Sequence, residues 1–151
     1  CPTHPAEENA AHIQRAQKAG IRVCCGGILG LGETLDQRVE MAFHLKKLHI
    51  DAIPLNVLNP IPGTPYEHNE LLAPLEILRS FAMFRFVLPK AQIRTAGGRQ
   101  LNLRSLQSMA LAGGMNGVMI GHYLTSKGSD PHDDLTMLRD LGRTRTMPNV
   151  Q

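Results

Sequence analysis

Ile21-Arg22-Val23-Cys24-Cys25-Gly26-Gly27-Ile28-Leu29-Gly30-Leu31-Gly32-Glu33 is the stretch on which the reading of this chain turns. The apolar entry predicts a buried strand over about residues 21–25, ending on two adjacent thiols. Glycines at positions 26, 27, 30 and 32 follow, and then a carboxylate. Backbone without side chains can approach a ligand closely, so the run has the layout of a binding loop between a strand and a helix. The order of its glycines does not match the dinucleotide-binding pattern, and no segment carries the lysine of a phosphate loop. On the residues alone, the run reads equally as a tight strand-to-helix turn.

Outward from this stretch the same unit recurs. Residues 6–19 predict a helix stopped by Gly20, with Ala10, Ile13 and Ala16 or Gln17 at helical spacing. Thr34 is the expected N-cap of a second helix, in which Leu35, Val39, Ala42 and Phe43 share the apolar face. Residues 50–55 predict a strand, and Asn56 to Asn69, rich in Pro, Gly and Asn, a long loop. A helix over about 74–88 carries Leu78, Phe81, Ala82 and Phe86 and stops before Pro89. A strand at 91–95, a helix near 100–112, a strand at 117–120 and a helix near 132–141 complete the series, with a frayed tail from Arg143.

Alternating short apolar strands and amphipathic helices imply an α/β fold with about four parallel strands, whose functional groups gather after the strands. The distinctive residues obey that rule, following each strand at Cys24 to Glu33, Asn56 to Thr64, Arg94 to Arg99 and Gly121 to Gly128. That convergence suits the catalytic face of a (β/α)8 TIM-type barrel, which needs roughly 250 residues. At 151 residues, opening on Cys1 and Pro2, the chain is expected to be the C-terminal half of one.

Composition narrows the function. Sixteen basic against 13 acidic residues give a net charge of +3, dispersed and without aromatic interleaving, so nucleic acid is not indicated. No run is long enough to cross a bilayer, and no signal-peptide pattern opens the chain, so no membrane partner and a cytoplasmic location are expected. Three cysteines, two of them adjacent, do not make a disulfide framework and point to thiols kept for metal or redox work. The seven histidines show no zinc-like spacing. Asp130, Asp133 and Asp134 are read as favourable charges at the start of the last helix.

Four segments in register carry a resemblance: Val23-Cys24-Cys25-Gly26-Gly27-Ile28, Pro54-Leu55-Asn56-Val57-Leu58 with Pro62-Gly63-Thr64-Pro65, Arg94-Thr95-Ala96-Gly97-Gly98-Arg99, and Leu124-Thr125-Ser126. In order and spacing they resemble the second half of the biotin synthases, radical S-adenosylmethionine enzymes that insert sulfur into dethiobiotin. The match runs from about residue 10 to about residue 142. It divides the chain into 1–142, a partial radical S-adenosylmethionine barrel with the biotin and thiamin synthesis-associated region, and 143–151, the tail.

The resemblance implies a role for particular residues. Cys24 would be a thiolate ligand of an auxiliary [2Fe-2S] cluster that donates sulfur, and Arg94 the unusual guanidinium ligand of the same cluster. From the residues alone, Cys24 and Cys25 could equally be small buried apolar groups, and Arg94 a strand-end cation paired to a carboxylate or reaching solvent. Cys25 stands where some relatives have serine, and strand alternation would point only one of the two thiols inward. Gly26, Gly27 and Ile28 would lie along S-adenosylmethionine, with Ile28 on the adenine side, while Asn59 replaces a usually apolar neighbour of that cofactor. Asn56 would hydrogen-bond the ureido group of dethiobiotin, or else simply start the loop. Thr125 and Ser126 would receive the substrate's carboxylate tail. Glu33 is read as capping N–H groups of the next helix, and Arg99 as a structural or helix-entry residue.

The implied mechanism also needs a [4Fe-4S] cluster, held in the parent enzyme by a C-x-x-x-C-x-x-C loop that does not occur in these 151 residues. An electron donor such as flavodoxin or ferredoxin and a homodimer complete the implied partners, and the isolated chain is expected to be inactive. Two alternatives stand beside this reading. One is another radical S-adenosylmethionine enzyme, of the thiamin pathway or of hydrogenase maturation. The other is a non-catalytic half-barrel that associates through its exposed strand edges.

Overall fold

The computed structural model describes residues 6–123 and 128–143. Four strands, β1 (Gly27–Leu29), β2 (Ala52–Val57), β3 (Gln92–Thr95) and β4 (Gly117–Val118), form one parallel sheet in the order β1-β2-β3-β4. Around them run α1 (Ala6–Lys18), α2 (Leu35–Lys47), α3 (Pro74–Val87), α4 (Arg99–Leu103), α5 (Gln107–Ala112) and α6 (Pro131–Asp140). Sequential parallel strands joined by helices form a half-barrel arrangement, as the alternation of elements implied.

The register explains the glycines. The first strand does not end at Cys24 and Cys25. Cys24 makes a bridge to Ala52, and the ladder then runs through Gly27–Leu29 opposite Leu55–Val57. A Cβ on Gly26 would lie 1.9 Å from the carbonyl oxygen of Pro54, so only glycine lets the chains stay this close. Gly27 therefore opens the strand, Gly26 lies against β2 just before it, and the loop proper begins at Gly30. Asn56 likewise sits within β2 and does not start the loop after it.

Alternate residues separate the two faces of the sheet. Leu29, Ile53, Leu55, Val57 and Ile93 are buried against the helices, in a core with Leu45, Ile77, Phe81, Phe84, Leu103 and Leu111. Thr95 shares this face and is buried without a partner for its hydroxyl.

Two helices turn a different face inward from the one their apolar spacing suggests. On α2 the buried residues are Arg38, Ala42 and Leu45, while Leu35, Val39 and Phe43 are exposed. On α3 they are Ile77, Ser80, Phe81 and Phe84, and Phe86 is 91% exposed. Burying Arg38 is possible because three oxygen-bearing side chains surround its guanidinium, and that requirement sets the rotation of both helices. The expected N-cap does hold: the Thr34 hydroxyl accepts from the Gln37 N–H, and the Gln37 side chain accepts from the Thr34 N–H. The single helix expected near 100–112 is broken by a 3-10 turn at Arg104–Leu106, where Arg104 has φ +52°.

Candidate functional site

The face of the sheet away from the helices collects the predicted site residues. Cys24, Gly26 and Ile28 alternate along the first strand, Ala52, Pro54 and Asn56 along β2, and Gln92 and Arg94 along β3. Ile28 pairs with Asn56, Pro54 with Arg94, and Arg94 with Gly117. Cys24, Ile28 and Arg94 are exposed, and Asn56 is half-buried. An exposed isoleucine beside glycine and proline makes a flat apolar patch among polar groups.

Cys24 and Arg94 meet across this face. The Arg94 Nη2 donates to the Cys24 Sγ at 2.9 Å, although the residues lie 70 positions apart. No carboxylate pairs with Arg94 among the described residues, which disfavours the plain strand-end ion pair. The two thiols are also distinguished. Cys25 packs against the core on the helix side, where burial and the neighbouring Cys24 push its thiol above the ordinary value of 9.0 and keep it protonated. A thiol held protonated is a poor metal ligand, whereas Cys24 stands on the open face beside a fixed cation. A soft sulfur donor next to a guanidinium fits one corner of an iron–sulfur group. Among the described residues no three His, Cys, Asp or Glu side chains gather to hold a metal, so these two residues are a partial donor set.

Asn56 bridges two elements at the edge of the same face. Its Oδ1 accepts from the Gly97 N–H at 2.8 Å, and its Nδ2 donates to the Gly27 carbonyl at 3.4 Å. These bonds fix the orientation of the carboxamide and leave one N–H and one lone pair for a ligand. Gly98, at φ +83°, forms the turn from β3 into α4, and a Cβ there would lie 1.9 Å from the Val57 carbonyl oxygen. Asn59 lies against this turn, accepting from the Asn102 Nδ2 at 2.9 Å. Gly27 differs from the expectation: the hydrogen of its Cα points toward the Met41 sulfur of α2, away from the open face. Thr125 and Ser126 lie outside the described residues.

Two buried arginines hold the loops at the strand ends. Glu33 does not cap α2. Its carboxylate folds back to accept from the N–H groups of Gly30, at 2.8 Å, and Leu31, at 2.8 Å, and from the Arg38 Nε at 2.7 Å. Burial alone would raise its pKa, but these backbone donors and the Arg38 charge outweigh it and hold the carboxyl below its ordinary 4.5. Arg38, 3% exposed, also donates to Glu76 at 2.8 Å and to Ser80 at 3.1 Å. Asn69 secures the loop from the other side, donating to the Gly30 carbonyl at 3.0 Å.

Arg99 is the structural residue expected of it, 1% exposed, paired with Asp134 and donating to the Met119 carbonyl and to Gln107. Asp134 is thus an internal counter-charge, while Asp130 alone caps α6 by accepting from the His132 N–H. Arg38 escaped the sequence reading because its helix offered a more apolar face. The pairing of Glu33 with an arginine five residues later was the only available signal.

Four parallel strands alternating with helices, with one face of the sheet left open, define a half-barrel of the β/α class. Residues 54–144 match the Biotin and Thiamin Synthesis associated domain, and the chain belongs to that family. It is similar to proteins named biotin synthase. Identity is 56% over 140 residues with that of Carboxydothermus hydrogenoformans, covering 93% of this chain and 43% of the relative. It is 56% over 144 residues with that of Maridesulfovibrio salexigens, covering 95% and 44%. With that of Geobacter sulfurreducens it is 51% over 144 residues, again covering 95% and 44%. The chain thus spans less than half the length of these curated relatives.

Proposed function

We propose that this chain is the C-terminal, substrate-side half of a biotin synthase barrel that inserts sulfur into dethiobiotin to form biotin. The observation that carries the reading is the contact between Cys24 and Arg94 on the open face, with Ile28 and Asn56 on the same surface. In this reading residues 1–142 belong to a radical S-adenosylmethionine barrel and 143–151 to its tail. The names of the relatives favour it over the thiamin and hydrogenase alternatives.

Each residue has a task that its chemistry suits. Cys24 holds the auxiliary [2Fe-2S] cluster through its sulfur, and Arg94 stands beside it as the guanidinium ligand of the same cluster. Gly26 and Ile28 offer an apolar surface to the adenosine of S-adenosylmethionine, and Gly27 keeps the strand close enough to α2 to hold that surface in place. Asn56, with one donor and one acceptor left unused, matches the donor and acceptor edge of a cyclic urea. Thr125 and Ser126 donate to the substrate carboxylate. When bound, S-adenosylmethionine and the [4Fe-4S] cluster supply the hydrogen-abstracting chemistry, and the auxiliary cluster supplies the sulfur. An electron donor such as flavodoxin or ferredoxin, a homodimer and a cytoplasmic location belong to the same proposal. Among the described residues no helix is long and apolar enough to cross a membrane.

Anaerobic iron–sulfur reconstitution of the full-length protein tests the reading. Cys24→Ala is expected to abolish the visible absorption of the auxiliary cluster and the formation of biotin from dethiobiotin, while Cys25→Ser retains both. An unchanged cluster spectrum in Cys24→Ala would overturn it.

A further inference from the structure

Gln92 stands on the open face, at a position where the strand of a closed barrel ordinarily carries Val, Ile or Leu. Exposed and buried residues alternate along β3, with Gln92 and Arg94 on the open side and Ile93 and Thr95 on the helix side. Cys24 pairs with Ala52, and Ala52 with Gln92, so these three form one row across the sheet. Pro54, Arg94 and Gly117 form the next row, and Ile28 and Asn56 the one after it. Successive rows on one face lie roughly 6.6 Å apart. Gln92 is therefore in the row of Cys24, and two rows from the residues assigned to S-adenosylmethionine and dethiobiotin.

Arg94 reaches back into that first row. Its guanidinium crosses β2 to meet the Cys24 sulfur at 2.9 Å. The thiol, the guanidinium and the Gln92 carboxamide are thus gathered around Ala52, whose side chain is a single methyl group. The hydrogen bonds of this face join Arg94 to Cys24 and Asn56 to Gly27 and Gly97, and among the described residues the Gln92 carboxamide enters none of them. Closing the barrel turns the open face into its interior, where a carboxamide needs a partner of its own. Its N–H groups find no acceptor in Ala52 or in a guanidinium, which carries donors only. The acceptor chemistry of this corner is sulfur.

We propose that Gln92 donates an N–H to a sulfur of the auxiliary iron–sulfur cluster and thereby raises its reduction potential. This rests on the reading of Cys24 and Arg94 as ligands of that cluster. The sulfur atoms of such a cluster carry negative charge that grows on reduction, so a donor aimed at one of them favours the reduced form. Gln92 adds no bond to iron; it sets how readily the cluster accepts an electron.

The test is a redox titration of the auxiliary cluster in the reconstituted full-length protein, followed by visible absorption, together with resonance Raman spectra in H2O and D2O. Gln92→Met keeps the reach of the side chain and removes its N–H. It is expected to lower the midpoint potential and to diminish the deuterium shift of the Fe–S stretching bands. Gln92→Glu keeps an acceptor oxygen but has no N–H, and is expected to diminish the deuterium shift as well. Retention of the full shift in Gln92→Glu, with its loss in Gln92→Met, would mean that the carboxamide acts by holding Arg94, and would overturn the proposal. An unchanged deuterium shift in Gln92→Met overturns it too: with an unchanged potential the glutamine is paired elsewhere in the closed barrel, and with a lowered one only solvent access has changed. A wild type that assembles no auxiliary cluster, or a cluster that Cys24→Ala leaves intact, would instead overturn the reading of Cys24 on which the proposal rests.

Discussion

Three arginines contrast the helix side of the half-barrel with its open side. Arg38 and Arg99 are buried, and each is matched to a carboxylate and to further oxygen acceptors. Arg94 is exposed, and its guanidinium donates to the Cys24 thiol. The first two hold loops in place and would be very costly to leave unpaired. The third has spare hydrogen-bonding capacity and no carboxylate partner among the described residues. The same division runs along single strands: Ile53 and Leu55 are packed on one side of β2, while Pro54 and Asn56 face the other. Interior packing and ligand chemistry thus occupy alternate residues of the same few strands, so one side can change without rebuilding the other.

The sharpest challenge to that division lies where strands touch. Gly98→Ala adds a Cβ 1.9 Å from the Val57 carbonyl oxygen at a backbone with φ +83°, and is expected to cost about 4 kcal/mol or more, read from urea unfolding of the full-length protein. Next come the buried ion pairs. Arg38→Met leaves Glu33 and Glu76 without their cation and is expected to cost about 3–5 kcal/mol, with part of it recovered when Glu33→Gln is added. Then the two faces can be compared directly. Ile53→Ala on the helix side is expected to cost about 2–5 kcal/mol. Cys24→Ala on the open side is expected to change the stability of the cluster-free protein by no more than about 0.5 kcal/mol. Equal losses at Ile53 and Cys24 would dissolve the distinction between a packing face and a chemical face.

The smallest effect is one of pH. The Glu33 carboxyl is held below its ordinary 4.5 in the folded protein, so its share of stability is complete above that pH and is lost as the pH falls through the lowered value. Unfolding midpoints measured from pH 6 downward should therefore drop less steeply in Glu33→Gln than in the wild type. An identical slope would show that the loop clamp does not depend on the carboxylate charge.

Much of the fold was legible because it is periodic. The helices at 6–19 and 74–88, the strands at 50–55 and 91–95 and the cap at Thr34 lie within a few residues of the expected positions. The first strand begins later than its apolar entry suggests, because nothing local in the sequence shows that Pro54 lies against Gly26 and Met41 against Gly27. The buried face of α2 departs from its apolar spacing for a related reason. Leu35, Val39 and Phe43 are spaced like a core stripe, but a buried Arg38 with three partners outranks them. Of the candidate site, Cys24, Ile28, Asn56 and Arg94 are legible as residues, and the resemblance already implies Cys24 and Arg94 at one cluster; the pairing of Ile28 with Asn56 depends on register.

The sequence by itself determined the alternation of strands and helices, the family to which they belong and the chemical types at the strand ends, because each is written in local spacing and short motifs. Only the tertiary structure decided that Cys24, and not Cys25, meets Arg94, that Glu33 turns back onto its own loop, and that Asn102 fixes the amide of Asn59. The first and last join residues 70 and 43 positions apart, the second depends on the buried Arg38 that Glu76 and Ser80 also hold, and a register shift of one residue would turn Arg94 to the opposite face.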